Sequence, residues 1–149
     1  MGYISDIRKM VGHTPLMCCA AGALIMNQQG QVLLQRRSDD GLWGNPGGSM
    51  DLGETAEETL QREILEETGL TITHSKFFKM YSGKDGYVKY PNGDEVYYVN
   101  VIFIVDDYEG EVKINDNESL ELKFFAIDEI PEKRTDLLNL IVRDLKERE

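Results

Sequence analysis

Basic residues are in short supply in this chain. Sixteen lysines and arginines stand against 27 aspartates and glutamates, giving a formal net charge of −11 and a pI near 4.6. Binding along a nucleic-acid backbone draws on a basic surface, so this balance excludes a long nucleic acid as partner. Long apolar runs are missing too. None approaches the roughly 18 residues a membrane-spanning helix needs, and no signal peptide or lipidation signal is present, so the expectation is a cytoplasmic protein without a membrane partner. Cysteine is nearly absent: Cys18 and Cys19 are the only two. Adjacent residues in a strand point to opposite faces, which excludes a disulfide between them, suits a reducing compartment and leaves apolar packing as their role. Repeats, low-complexity stretches and linkers are lacking as well. The 149 residues, 17.0 kDa, therefore predict a single domain over 1–149, large enough to bury its own core.

What the chain has in place of these is a concentration of acid between residues 48 and 70, GSMDLGETAEETLQREILEETGL. Thr55 followed by Glu58 is a capping box, and Gly69 suits a left-handed C-cap, so the spacing predicts a helix from Thr55 to Thr68. At about 100° per residue, Ala56, Leu60 and Ile64 line one stripe; Glu63 and Glu67 fall beside it, with Glu66 just outside. Like charges three and four residues apart oppose the helix by a few tenths of a kcal/mol per pair, and partial burial adds to that cost. A hard divalent cation would relieve them. Mg²⁺ takes few carboxylates, keeps several waters and accepts phosphate oxygens, so Glu63, Glu66 and Glu67 form a candidate metal cluster. Glu57 and Glu58 point elsewhere and are expected in solvent. An acidic protein that handles an anionic substrate needs cations at its site, and this cluster is the place for them.

The same run fills a fixed pattern: Gly48, five residues, Glu54, seven residues, then Arg62-Glu63-Ile64-Leu65-Glu66-Glu67-Thr68-Gly69-Leu70. With ordinary residue frequencies the chance of that match in such a chain is on the order of 10⁻⁸. The run resembles the box of the Nudix hydrolases, G-x5-E-x7-R-E-U-x-E-E-x-G-U with U aliphatic. The flanks are also similar, Trp43-Gly44-Asn45-Pro46-Gly47-Gly48 before the box and Phe124-Phe125-Ala126-Ile127-Asp128-Glu129-Ile130-Pro131 after it, although Asn45 stands where many members carry an apolar residue. The resemblance implies an enzyme that hydrolyses a pyrophosphate linkage in a nucleoside diphosphate linked to another moiety, or in a nucleoside triphosphate. It implies that Glu63, Glu66 and Glu67 bind Mg²⁺ or Mn²⁺, with the Gly47 carbonyl often joining them. Arg62 then braces the loop and orients carboxylates, and Glu54 supports the metal site or proton transfer. The fold it implies is an α/β/α sandwich on a mixed β-sheet; a homodimer is common among relatives. A non-catalytic nucleotide-sensing domain is the alternative, and the intact glutamates argue against it.

The catalytic base has no fixed place in such enzymes. Glu118, in the turn-like Asn115-Asp116-Asn117-Glu118-Ser119, is the candidate, with Glu121 as competitor. Around the box, the pattern predicts an N-terminal amphipathic helix ended by Gly12, strands at Met17–Met26, Gln31–Arg37, Thr71–Tyr81, Glu95–Val105 and Leu120–Ala126, and a C-terminal helix striped by Leu137, Leu138, Leu140, Ile141 and Leu145. Arg36 and Arg37 end a strand near the glycine-rich loop; either is a candidate phosphate contact, and alternation sends them to opposite faces. The tyrosine-rich segment from Tyr81 to Asp94 admits two readings. Its rings, Tyr87 among them, stack on a nucleobase, or Pro91-Asn92-Gly93-Asp94 turns a hairpin with tyrosines packed on the sheet; the turn chemistry favours the second. Tyr87 also stands where the resemblance places a tyrosine in enzymes acting on diadenosine polyphosphates. The proline typical of those acting on ADP-ribose is replaced by Asp85 and Gly86, and the mark of NADH pyrophosphatases is absent.

Overall fold

A computed structural model describes residues 2–114 and 118–148. The apolar run after Pro15 becomes β1 (Leu16–Ile25), and β2 (Val32–Arg37) follows a turn at Asn27–Gly30. β1 is buried on both faces from Ala20 to Ile25, as a central strand between two helical layers must be. Two short strands, β3 (Trp43–Gly44) and β4 (Gly47–Ser49), lie in what reads as a glycine-rich loop. β5 (Thr71–Tyr81) and β7 (Glu95–Glu109) flank β6 (Tyr87–Lys89), and β8 (Ser119–Phe125) precedes the last helix. The helices are α1 (Tyr3–Val11), α2 (Ala56–Thr68) and α3 (Asp136–Arg148).

The strands divide over two sheets. One runs β4-β1-β7-β5 with β6 also paired to β7; the other is β3-β2-β8. β1 and β7 are parallel, from Leu16 beside Val96 to Ile25 beside Val105, while the other pairings are antiparallel. The result is a mixed α/β fold with helices on both sides. Ala21, Ala23, Ile25 and Leu33 pack towards Leu60 and Ile64 of α2; Leu24, Val32, Leu34 and Ile102 pack towards Leu138 and Ile141 of α3. Asp144 fixes α3 to β5: it is buried, and accepts hydrogen bonds from Lys79 Nζ (2.8 Å) and Tyr81 Oη (2.6 Å). Burial by itself would raise its carboxyl, but the bonds from Lys79, Tyr81 and Arg143 outweigh that and hold it well below the usual range. Among the described residues no helix is long and apolar enough to cross a membrane.

α2 has the limits its sequence predicts. The Thr55 hydroxyl accepts from the Glu58 amide at 3.1 Å, the Glu58 carboxylate accepts from the Thr55 amide at 2.9 Å, and Gly69 closes the helix at φ 78°. Thr55→Ala is expected to cost about 1 kcal/mol of stability, read as a lower urea midpoint with an unchanged slope. Cys18 is buried and Cys19 exposed, both as free thiols, as strand alternation requires. The Pro91–Asp94 segment is a hairpin: Tyr90 and Asp94 bond at 2.8 Å, Gly93 takes φ 96°, and Val88 sits opposite Val96. The expected turn therefore exists, and β6 is the strand it connects to β7.

Candidate active site

The site begins where β4 lies on β1. Gly47 pairs with Gly22 and Gly48 with Ala21. Gly47 has φ 156°, and a Cβ there would overlap the Ala21 carbonyl, so the loop can seat itself on β1 only with glycine. At Gly48 a Cβ would overlap the Glu63 carboxylate itself. The glycine pair thus lets the main chain approach the acids of α2. Glu67 is 1% exposed, and both of its oxygens lie 3.3 Å from the Gly47 amide, which donates to them.

Arg62 organises the other acids. Its guanidinium donates to Glu54 through Nε (2.7 Å) and Nη2 (2.9 Å), to Glu63 Oε1 through Nη1 (2.8 Å), and to the Ser49 carbonyl at 3.2 Å; Glu66 lies 3.7 Å away. Glu54 also accepts from the Asp51 amide and the Thr59 hydroxyl, each at 2.9 Å. With those donors, Arg62 foremost, its carboxyl falls from 4.5 to about 2. A depressed acid stabilises the fold above its unfolded value and loses that contribution as the pH falls, so the stability due to Glu54 should vanish between pH 4.5 and about 2. Urea midpoints measured over that interval should fall more steeply for the wild type than for Glu54→Gln. Glu63 acts in the opposite sense, because burial pushes its carboxyl up despite Arg62, with Glu66 and Glu118 adding to the rise. A buried acid among acids is favoured by a cation.

A cleft of about 760 Å³ holds Arg62, Glu63, Glu66, Glu67, Glu118 and Arg37 in its walls. Among the described residues no three acidic, histidine or cysteine side chains already converge as a metal-ligand set. The donors nevertheless suit a hard divalent ion: carboxylate oxygens at graded exposure, Glu67 buried, Glu63 at 15% and Glu66 at 55%. Arg37 faces this cleft, held by Asp39 (2.9 Å) and Asp40 (3.7 Å), whereas Arg36 pairs with Glu121 (3.5 Å) away from it. A register shift in β2 between these two arginines accompanies the separation. The same geometry separates Glu118 from Glu121, its rival for the base. Asn115, Asp116 and Asn117 lie outside the described residues.

Tyr87 stands in a neighbouring recess of about 480 Å³, its hydroxyl donating to Glu95 (2.6 Å) and its ring 5.0 Å from that of Tyr97. Asn45 and Tyr90 face the cleft as well, together with Tyr98 and Asp39, which the sequence does not single out. Alternation along β7 was the available signal for Tyr98, since it shares a face with Asn100 and Ile102.

The site is thus a loop that seats glycines against helix-borne carboxylates, on a mixed sheet between helices. The model of the Nudix domain matches residues 18–144, and the chain belongs to that family. It is 34% identical over 110 residues to an ADP-ribose pyrophosphatase of Methanocaldococcus jannaschii, covering 72% of this chain and 61% of the relative. It is 35% identical over 112 residues to an oxidized purine nucleoside triphosphate hydrolase of Danio rerio, covering 72% and 66%. The match spans less than two thirds of either curated relative. A MutT Nudix hydrolase from Burkholderia pseudomallei superposes with TM-score 0.75 at 26% identity, over 87% of this chain and 98% of that one.

Proposed function

We propose that the chain is a Mg²⁺-dependent hydrolase, with Mn²⁺ as substitute, that cleaves a pyrophosphate linkage in a small nucleotide. The substrate is a nucleoside diphosphate linked to another moiety, or a nucleoside triphosphate. The observation that carries this reading is the buried Glu67 under the Gly47 amide, with Glu63 and Glu66 beside it in a cleft that also contains Arg37 and Glu118. The family generally uses divalent ions, and the relatives' names include a pyrophosphatase and a triphosphate hydrolase.

Glu63, Glu66 and Glu67 would hold the ion, with the Gly47 carbonyl as a further oxygen ligand. When bound, it supplies activation of water and neutralisation of charge developing on the phosphoryl oxygens. Arg62 keeps Glu63 and Glu54 in place, and Glu54 in turn fixes the loop through the Asp51 amide. Arg37 meets the phosphate chain. Glu118 accepts a proton from water as its oxygen bonds to phosphorus; the bond from that phosphorus to the bridging oxygen breaks, and the second phosphate leaves with the electron pair. Arg36 and Glu121, paired outside the cleft, take no part. Tyr87 borders the nucleoside.

Product masses from nucleotide sugars, dinucleotides, CDP-alcohols and nucleoside triphosphates, incubated with Mg²⁺ or Mn²⁺, test the proposal. Metal-dependent release of two phosphate-bearing fragments from one class is expected. Binding without cleavage across the panel would instead support a nucleotide sensor.

A further inference from the structure

α1 lies outside residues 18–144, the part of the chain matched to the Nudix domain, yet it helps to wall the acid cleft. Gly2, Ile4 and Ser5 line that cleft together with Arg62, Glu63 and Glu66. The helix also joins two other parts of the wall. At its first residue the Tyr3 amide donates to Asp51 Oδ1 at 2.9 Å, and in its last turn Arg8 Nη2 donates to the Glu95 carbonyl at 2.8 Å, in the hairpin that carries Tyr90. Asp51 and Tyr90 both face the cleft.

The two ends are held unequally. At the hairpin end the Arg8 side chain is only 12% exposed; its Nη1 donates to the carbonyls of Gly12 (2.8 Å) and Thr14 (2.6 Å), its Nε lies 3.6 Å from Asp94, and His13 Nδ1 meets the same carboxylate at 2.7 Å. At the other end, among the described residues, the bond that ties the helix to the domain is the exposed one from the Tyr3 amide to Asp51. No described residue of α1 is fully buried, and Met10 is 81% exposed. A helix of nine residues is marginal by itself, and few buried contacts mark an element of low local stability. Gly12 follows the helix at φ 61° and ψ −131°, a conformation open to glycine, and so can serve as a pivot.

We propose that α1 is a strap on the acid cleft, hinged at Gly12 and clasped on Asp51, which opens to admit the nucleotide and closes over it. This inference rests on the reading of the cleft as the substrate site. One hydrogen bond to a carboxylate favours the closed form on the order of 10–100-fold, a bias that leaves opening frequent on the microsecond-to-millisecond scale of enzyme lids. Closure also reaches the acids. With Oδ1 bound to α1, Asp51 presents Oδ2 at 3.5 Å from Arg62 Nη2, and Arg62 is the group that holds Glu54 and Glu63.

Gly2→Cys combined with Asp51→Cys, in a Cys19→Ser background, tests the strap as a reversible lock. A Cβ at Gly2 would lie 3.7 Å from the Asp51 Cγ, within reach of a disulfide, and the remaining Cys18 is buried. Binding of the fluorescent N-methylanthraniloyl derivatives of ADP, GDP, CDP and UDP, with Mg²⁺, is followed by stopped flow before and after reduction, beside hydrolysis of the best substrate of the panel. The oxidised protein should bind the probe about tenfold more slowly or worse and lose kcat/KM by a similar factor, with both restored by reductant. Equal rates in the two redox states would overturn the strap while leaving the hydrolase intact. Slowed binding in the oxidised state with no cleavage by any form would keep the strap and remove the hydrolase reading. A wild type that binds none of the probes would remove the substrate site and the strap with it. If the disulfide fails to form, Tyr3→Pro serves instead: Tyr3 is the first residue of α1, where proline suits a helix but has no amide hydrogen, and Gly2 before it is extended, as proline requires. Tyr3→Pro should release the probe several-fold faster than Tyr3→Ala, which keeps the amide; equal release from the two would overturn the clasp.

Discussion

Glu67→Gln is expected to lower kcat on the order of 10²–10³-fold, the range seen when one preorganised group stabilising developing charge is removed. The fold should survive. Glutamine keeps the shape of the side chain and retains an oxygen that can accept from the Gly47 amide, now 3.3 Å from both Glu67 oxygens. It also removes one negative charge from a site where Glu63 is already pushed towards its neutral form by burial and by neighbouring acids. Without added metal the variant should therefore melt no lower than the wild type. With Mg²⁺ the wild type should gain stability through binding to the folded state, and the variant should gain much less. A variant that hydrolyses at the wild-type rate would remove Glu67 from the metal site.

Gly48→Ala should have the next largest effect, with a different signature. The added Cβ would occupy the space of the Glu63 carboxylate, so either the β4 loop lifts from β1 or Glu63 swings away. Overpacking of this kind typically costs about 1–3 kcal/mol. A displacement near 1 Å among reacting groups can reduce turnover on the order of 10²-fold. Both losses should appear together, unlike those of Glu67→Gln. Adding Glu63→Asp, which draws the carboxylate back by one methylene, should restore part of the stability but not the activity; the non-additive remainder measures the contact between the two positions.

The parts of the site legible in sequence were those set by local chemistry. Thr55, Glu58 and Gly69 bound α2 through hydrogen bonds and a backbone conformation that involve only near neighbours. Helical arithmetic sets Glu63 and Glu67 beside the apolar stripe and Glu66 outside it, and Glu67 and Glu63 are the more buried of the three, with Glu66 exposed. What depended on distant pairing was not legible. β3 and β4 are two and three residues long, too short for any period, and exist because β2 and β1 offer them partners. β7 was expected to end at Val105, where its apolar residues stop, yet it continues to Glu109 because β5 pairs with Asp107, Tyr108 and Glu109. That Arg36 and Arg37 face opposite ways follows from alternation, but which of the two meets the cleft does not. Arg62 bridging Glu54 and Glu63 joins a loop to a helix, which spacing alone suggests only through the family pattern. The docking of α1 on the hairpin through Arg8 leaves no periodic trace either, since its partners are backbone carbonyls.

The proposed hydrolysis depends on a divalent ion held by the acids of α2. The most direct test is turnover of the best substrate of the panel as Mg²⁺ is titrated back into protein freed of metal by a chelator. No turnover in the chelator and a saturable return with Mg²⁺, shifted to much higher concentration or lost in Glu67→Gln, is the predicted result. Turnover that persists undiminished in the chelator would contradict it.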